Sequence, residues 1–134
     1  MSFDTIRIDT DARGVATLWL ARADKHNALS ARMLDDLTAA ARQLGADDAV
    51  RVVVLAAEGK SFCAGGDLAW MREQMDADAA TRRAGAAALA GMLNAMNELP
   101  KPLIRAATAM PLAAGSVCCR SATWRSGPRG RSSA

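Results

Sequence analysis

The chain has no tyrosine, and its only aromatics are three tryptophans and two phenylalanines among 134 residues. It has one histidine, His26, and three cysteines, Cys63, Cys118 and Cys119. The cysteines show neither metal-ligand spacing nor the even count of a disulfide framework, so no zinc site and no stapled fold are expected. No apolar run approaches the roughly 18 residues of a membrane span. Met1-Ser2-Phe3-Asp4 leads directly into a strand pattern without a basic-then-apolar leader, which points to the cytoplasm and away from a membrane. Gly59-Lys60-Ser61 suggests a phosphate loop, but that motif needs glycine where Val54 stands, so an NTPase is excluded. Acidic residues are missing from one end. Residues 1–98 hold all 14 acids and 11 of the 17 bases, a net −3, whereas residues 99–134 hold six bases and no acid. Such a split can mark a nucleic-acid-binding tail, here Arg105, Arg120, Arg125, Arg129 and Arg131. Trp124 is the one aromatic among those arginines, which argues against stacking on bases.

What is present is enough apolar material for one core, 51% of residues, arranged with clear periods. Phe3 to Asp9 alternates polar and apolar like a half-exposed strand. Asp11-Ala12-Arg13-Gly14 is a turn, and Val15 to Leu20 is the returning strand of a hairpin. Residues 22–29 are polar and irregular, a loop. Ser30 is a good N-cap for a helix over 31–44 whose stripe is Met33, Leu34, Leu37, Ala40, Ala41 and Leu44, with Gly45 as terminator. A second helix is expected from about Asp76 to Glu98. It is ended by Leu99-Pro100-Lys101-Pro102, since proline cannot continue a helix, and Leu103-Ile104 begins another strand. Hairpin, helix, strand, loop and helix in this order predict an α/β fold.

The centre of the chain is VRVVVLAAEGKSFCAGGDLAWM, residues 50–71. Val50, Val52, Val53, Val54 and Leu55 form a buried strand, residues 61–66 a small-residue loop, and Asp67 opens a helix with Leu68, Trp70 and Met71. Glycine N–H groups therefore sit at a helix N-terminus just beyond a strand end. Glycines admit a ligand close to the backbone, and the helix end adds positive potential, an arrangement suited to a developing oxyanion. Plainer readings stand beside this one. Asp67 is favoured as an N-cap over a proton-transfer group, Trp70 and Met71 as core over pocket, and Cys63 as a small packing residue. On their own, Lys25 and His26 are solvated loop residues.

Three blocks carry a resemblance over roughly residues 3–104: LARADKHNALS at 20–30, the stretch from Val52 to Leu68, and LPKPLI at 99–104. Their order and spacing resemble the enoyl-CoA hydratase/isomerase (crotonase) superfamily, with Ala23 replacing the usual proline. The resemblance implies the N-terminal part of a crotonase-like ββα spiral at 1–104. It also implies hydration of a 2-enoyl-CoA thioester through an enolate held by two backbone N–H groups, with coenzyme A as part of the substrate and no separate cofactor. By the same likeness Lys25, His26 and Ala28 would line the coenzyme A site, with the Ala28 backbone near the adenine. Ala64 and Leu68 would flank the thioester, Gly65 and Asp67 would belong to the same substrate site, and the Gly66 N–H would be one oxyanion donor. AGGDLAWM at 64–71 looks closest to methylglutaconyl-CoA hydratases. Family members are usually homotrimers or hexamers.

Residues 105–134 depart from the family, which continues with N-G-x-A-x-G-G-G, a helix and C-D. This segment is expected to be a non-homologous tail, disordered from Trp124 onward. The departure is consistent with a reading-frame shift near residues 104–107. Back-translating residues 107–115 and shifting the frame permits Asn-Gly-Asn-Ala-Leu-Gly-Gly-Gly, and continuing from there through Cys118 to Thr123 permits Gly-Leu-Leu-Ser-Val-Cys-Asp. The second oxyanion donor and the family's catalytic glutamates are then missing from the chain, which predicts an inactive protein. A non-catalytic acyl-CoA binder and a basic-tailed nucleic-acid binder are the alternatives.

Overall fold

The alternating segments close into a hairpin in the computed structural model, which describes residues 2–106. Strand β1 (Ile6–Thr10) pairs antiparallel with β2 (Val15–Leu20), Ile6 opposite Leu20 and Thr10 opposite Ala16. The turn holds because Asp11 Oδ1 accepts from the Arg13 and Val15 N–H groups, at 2.8 and 3.2 Å. Helix α1 (Ala31–Ala46) follows the loop, with Ser30 Oγ accepting from the Met33 N–H at 3.2 Å as the expected cap. Its buried stripe of Met33, Leu34, Leu37, Ala40, Ala41 and Leu44 is the one the period predicts.

Strand β3 (Val52–Ala57) lies parallel to β2, Leu18 opposite Leu55. Helices α2 (Leu68–Asp76) and α3 (Ala79–Asn97) then lead to β4 (Leu103–Arg105), parallel to β3. The sheet order is β1-β2-β3-β4, an α/β arrangement as expected. Ala16, Leu18, Leu20, Val53, Leu55 and Leu103 are buried in one core with the α1 stripe and with Met92 and Met96 of α3. Trp19, Val54 and Ile104, on the opposite face, are partly open.

Several boundaries differ from expectation, for local and for tertiary reasons. Strand β1 starts at Ile6 and not at Phe3, the Asp4 and Thr5 N–H groups being taken by Asp36 Oδ2. Helix α1 runs through Gly45 to Ala46, because Gly45 serves close packing and does not terminate the helix. A Cβ there would meet Pro100 Cδ at 3.3 Å and Leu99 Cδ1 at 3.4 Å. The cap comes instead from Lys101, whose Nζ donates to the carbonyls of Leu44 (2.6 Å) and Asp47, placing a cation at the negative helix end. Strand β3 begins at Val52, since Val50, though buried, is held in a turn by its N–H to the Asp47 carbonyl. Helix α3 begins at Ala79, after a break in which Asp78 Oδ1 accepts from the Thr81 N–H at 2.7 Å. A buried carboxylate joins the layers: Asp36 of α1 accepts from the Thr5 N–H (3.0 Å) and hydroxyl (2.7 Å) and pairs with Arg32 (3.2 Å). The frame shift, the Trp124 tail and its arginines beyond Arg105 lie outside the described residues.

Candidate functional site

Parallel strands deliver their following loops to the same sheet edge, and ligands of α/β folds gather there. Here the loop after β2 (residues 21–30) meets the loop after β3 (residues 58–67). Asn27 is fully buried and holds φ at +54°, a conformation that asparagine tolerates better than most residues. Its Oδ1 accepts from the Arg22 N–H at 2.8 Å, and its Nδ2 donates to the carbonyls of Glu58 (2.8 Å) and Ser61 (3.0 Å). One side chain thus satisfies three backbone groups drawn from both loops. Phe62 and Cys63 are wholly buried and pin the middle of the second loop.

Backbone bonds finish the junction. The Ala64 N–H donates to the His26 carbonyl (3.0 Å), the Leu29 N–H to the Gly65 carbonyl (2.6 Å), and the Asp67 N–H to the Leu29 carbonyl (2.9 Å). Leu29 and Gly66 form an isolated parallel bridge. In a planar trans peptide the C=O and N–H point in opposite directions. Since the Gly65 carbonyl faces Leu29, the Gly66 N–H of the same peptide faces away from it. Gly65 reaches this orientation at φ +103°, open in practice only to glycine.

Asp67 adopts the plainer role, capping α2 by accepting from the Trp70 N–H at 3.1 Å. That bond, with the Arg22 guanidinium beside it, holds its carboxyl below the usual carboxylate range. Arg22 Nη2 lies 3.1 Å from Asp67 Oδ2, while its Nη1 donates to the Ala28 carbonyl at 2.9 Å.

A cleft of about 850 Å³ opens at this junction. Lys25, His26, Ala28, Ala64, Gly66, Asp67 and Leu68 all line it. Gly65 does not. It is buried, so its contribution is conformational. Lys25 and His26 are exposed, and the Ala28 N–H is already bonded to the Lys25 carbonyl at 3.0 Å. Trp70 both packs against the core and faces the cleft. Met71 is not core as expected but 44% exposed, its sulfur lying over Gly66. Arg22 is not among the expected site residues, and Asn27 stands there only as part of the stretch from Lys25 to Ala28. Both stand inside the LARADKHNALS block, but neither role shows until the second loop is in place. Among the described residues no group of three or more His, Cys, Asp or Glu could hold a metal, and no helix could cross a membrane.

The sequence profile of the enoyl-CoA hydratase/isomerase family matches residues 10–121. The chain belongs to this family. An enoyl-CoA hydratase of Alternaria alternata is 40% identical to this family member over 68 residues, which are 50% of the chain and 23% of that protein. A trans-2-decenoyl-(acyl-carrier-protein) isomerase of Streptococcus mutans is 33% identical over 105 residues, 78% of the chain and 40% of that enzyme. The crystal structure of an enoyl-CoA hydratase from Mycobacterium smegmatis superposes with TM-score 0.71 at 41% identity, covering 76% of the chain and 39% of that structure. The fold is therefore that of the crotonase superfamily, and the chain spans less than half the length of these relatives.

Proposed function

We propose that the cleft binds an acyl-CoA thioester, with Lys25, His26 and Ala28 on the coenzyme A moiety and the thioester carbonyl directed at the Gly66 N–H. Gly66 then acts as one of the two backbone donors that stabilise the enolate when a 2-enoyl-CoA is hydrated. The observation that carries this reading is the orientation of the Gly65–Gly66 peptide. Its carbonyl is consumed by Leu29, so its N–H is directed away from Leu29 at a residue lining the cleft. A donor fixed before charge develops needs no reorganisation in the transition state, and removing one such donor typically costs about 10²–10³ in rate. Coenzyme A enters as part of the substrate, with no further cofactor. The relatives are named as hydratases and as an isomerase, and both chemistries build negative charge on the thioester carbonyl oxygen, in an enolate for hydration and a dienolate for isomerisation. The branched acyl group suggested by the AGGDLAWM wording belongs to this proposal.

We propose further that residues 105–134 supply neither the second donor nor a proton-transferring glutamate. The 134-residue chain alone should accordingly bind crotonyl-CoA without hydrating it. Calorimetric titration should give saturable binding of crotonyl-CoA, while the loss of enoyl absorbance stays at the level without protein. Absence of binding would sink the acyl-CoA reading. Turnover by the pure chain would overturn its inactivity.

A further inference from the structure

The Gly66 N–H can serve as a donor only while the Gly65–Gly66 peptide keeps its orientation, and two consecutive glycines give that peptide unusual freedom to rotate. The restraint is the Leu29–Gly65 hydrogen bond. Arg22 brackets it on both sides. Nη1 holds the carbonyl of Ala28, the residue before Leu29, and Nη2 holds the carboxylate of Asp67, the residue after Gly66. The base of Arg22 is itself fixed: its N–H donates to Asn27 Oδ1, and its carbonyl accepts from the Lys25 (3.0 Å) and Asn27 (2.9 Å) N–H groups. The Arg22 and Asp67 side chains are only 21% and 13% exposed, so the pair is less screened than an open surface ion pair.

We propose that Arg22 is a positioning residue for the oxyanion donor. Its guanidinium clamps the coenzyme A loop to the glycine loop and so keeps the Gly66 N–H directed at the thioester carbonyl. This inference rests on the acyl-CoA reading above. Lysine cannot replace it fully, because a point charge cannot occupy both the Ala28 and Asp67 acceptors with the fixed fork of a guanidinium. A ligand's coenzyme A part should sense the clamp less than its acyl carbonyl does.

The test uses the full chain and four variants: Arg22→Met, Arg22→Lys, Asp67→Asn and the Arg22→Met/Asp67→Asn double variant. Asparagine still caps α2 at Trp70 but loses the ion pair, which separates capping from clamping. Affinities for crotonyl-CoA and for unacylated CoA are measured by calorimetry. The Gly66 amide shift on adding crotonyl-CoA and the hydrogen exchange of the Leu29 and Asp67 amides are followed by NMR. The ratio of crotonyl-CoA to CoA affinity should fall roughly tenfold in Arg22→Met and in Asp67→Asn, as expected for loss of a charge-assisted bond. Arg22→Lys should restore part of it, and the double variant should be no worse than Arg22→Met, since that change already removes the ion pair that Asp67→Asn breaks. The Gly66 shift should shrink in parallel while exchange in β2 and β3 is unchanged. An unaltered ratio in Asp67→Asn, or effects that multiply in the double variant, would overturn the clamp. If the unmodified chain binds no crotonyl-CoA, it is the acyl-CoA reading that fails. Exchange then decides the clamp alone: faster Leu29 and Asp67 exchange in Arg22→Met retains it, and unchanged exchange overturns it.

Discussion

Gly65 and Gly66 are neighbours with different requirements. Gly65 sits at φ +103° and is buried, so any side chain would strain the backbone wherever its atoms went. Gly66 is outside that region, and a Cβ would meet only the flexible end of Met71, Sδ at 2.8 Å and Cγ at 3.2 Å. Gly65→Ala should therefore cost about 1–3 kcal/mol, the range for a residue forced into a sparsely populated conformation. Gly66→Ala should cost less than about 1 kcal/mol, within the range of tolerated substitutions. Urea unfolding of the two variants checks this, and equal costs would remove the distinction. In the sequence the two glycines are one loop signal. Backbone angles separate them, because which glycine carries the left-handed turn depends on where Leu29 pairs. Asn27 is similar: its residue type and place in the block are readable, but its three partners belong to segments brought together only by β2–β3 pairing.

Among the elements, the starts of α2 and α3 rest on carboxylates. Asp67 caps α2 and Asp78 caps α3, and each carboxyl is held below its ordinary range, chiefly by the Trp70 and the Thr81 N–H respectively. A folded-state value below the unfolded one contributes stability that is fully present above the unfolded value, about 3.9. That contribution is lost as pH falls through the lower folded value. Unfolding free energy should thus drop between pH 7 and pH 3. Asp67→Asn should show a smaller drop, because asparagine caps without titrating. Identical drops for the two proteins would show that Asp67 is not among the groups responsible. The helix ends also mark the limit of local reading. Ser30 was legible as a cap because its partner lies three residues away. The end of α1 was not, because Lys101 caps it from 57 residues distant relative to Leu44.

For the whole molecule, the cleft exists only in the folded chain, since its walls come from the loops after β2 and β3 and from α2. A ligand that binds it must stabilise the fold by mass action. Crotonyl-CoA at 100 times its dissociation constant should raise the unfolding free energy by about 2.7 kcal/mol, seen as a rise in Tm that grows with ligand concentration. Binding without such a rise would place the ligand somewhere other than this cleft. The α/β class, the hairpin and the α1 stripe were legible in the order of residues, and the family was legible in three motif blocks whose likeness also named seven residues that line the cleft. Periods and caps act over a few residues, and the blocks are short stretches whose order and spacing carry the likeness. That Gly65 is conformational, that Met71 is open, that Gly45 packs instead of terminating α1, and that Arg22 and Asn27 bind the two loops together shows first in the folded chain. Apart from Met71, which lies over Gly66 five residues away, each of those depends on a partner more than 20 residues away in the chain or on a backbone angle set by such a partner, and no local pattern encodes that contact.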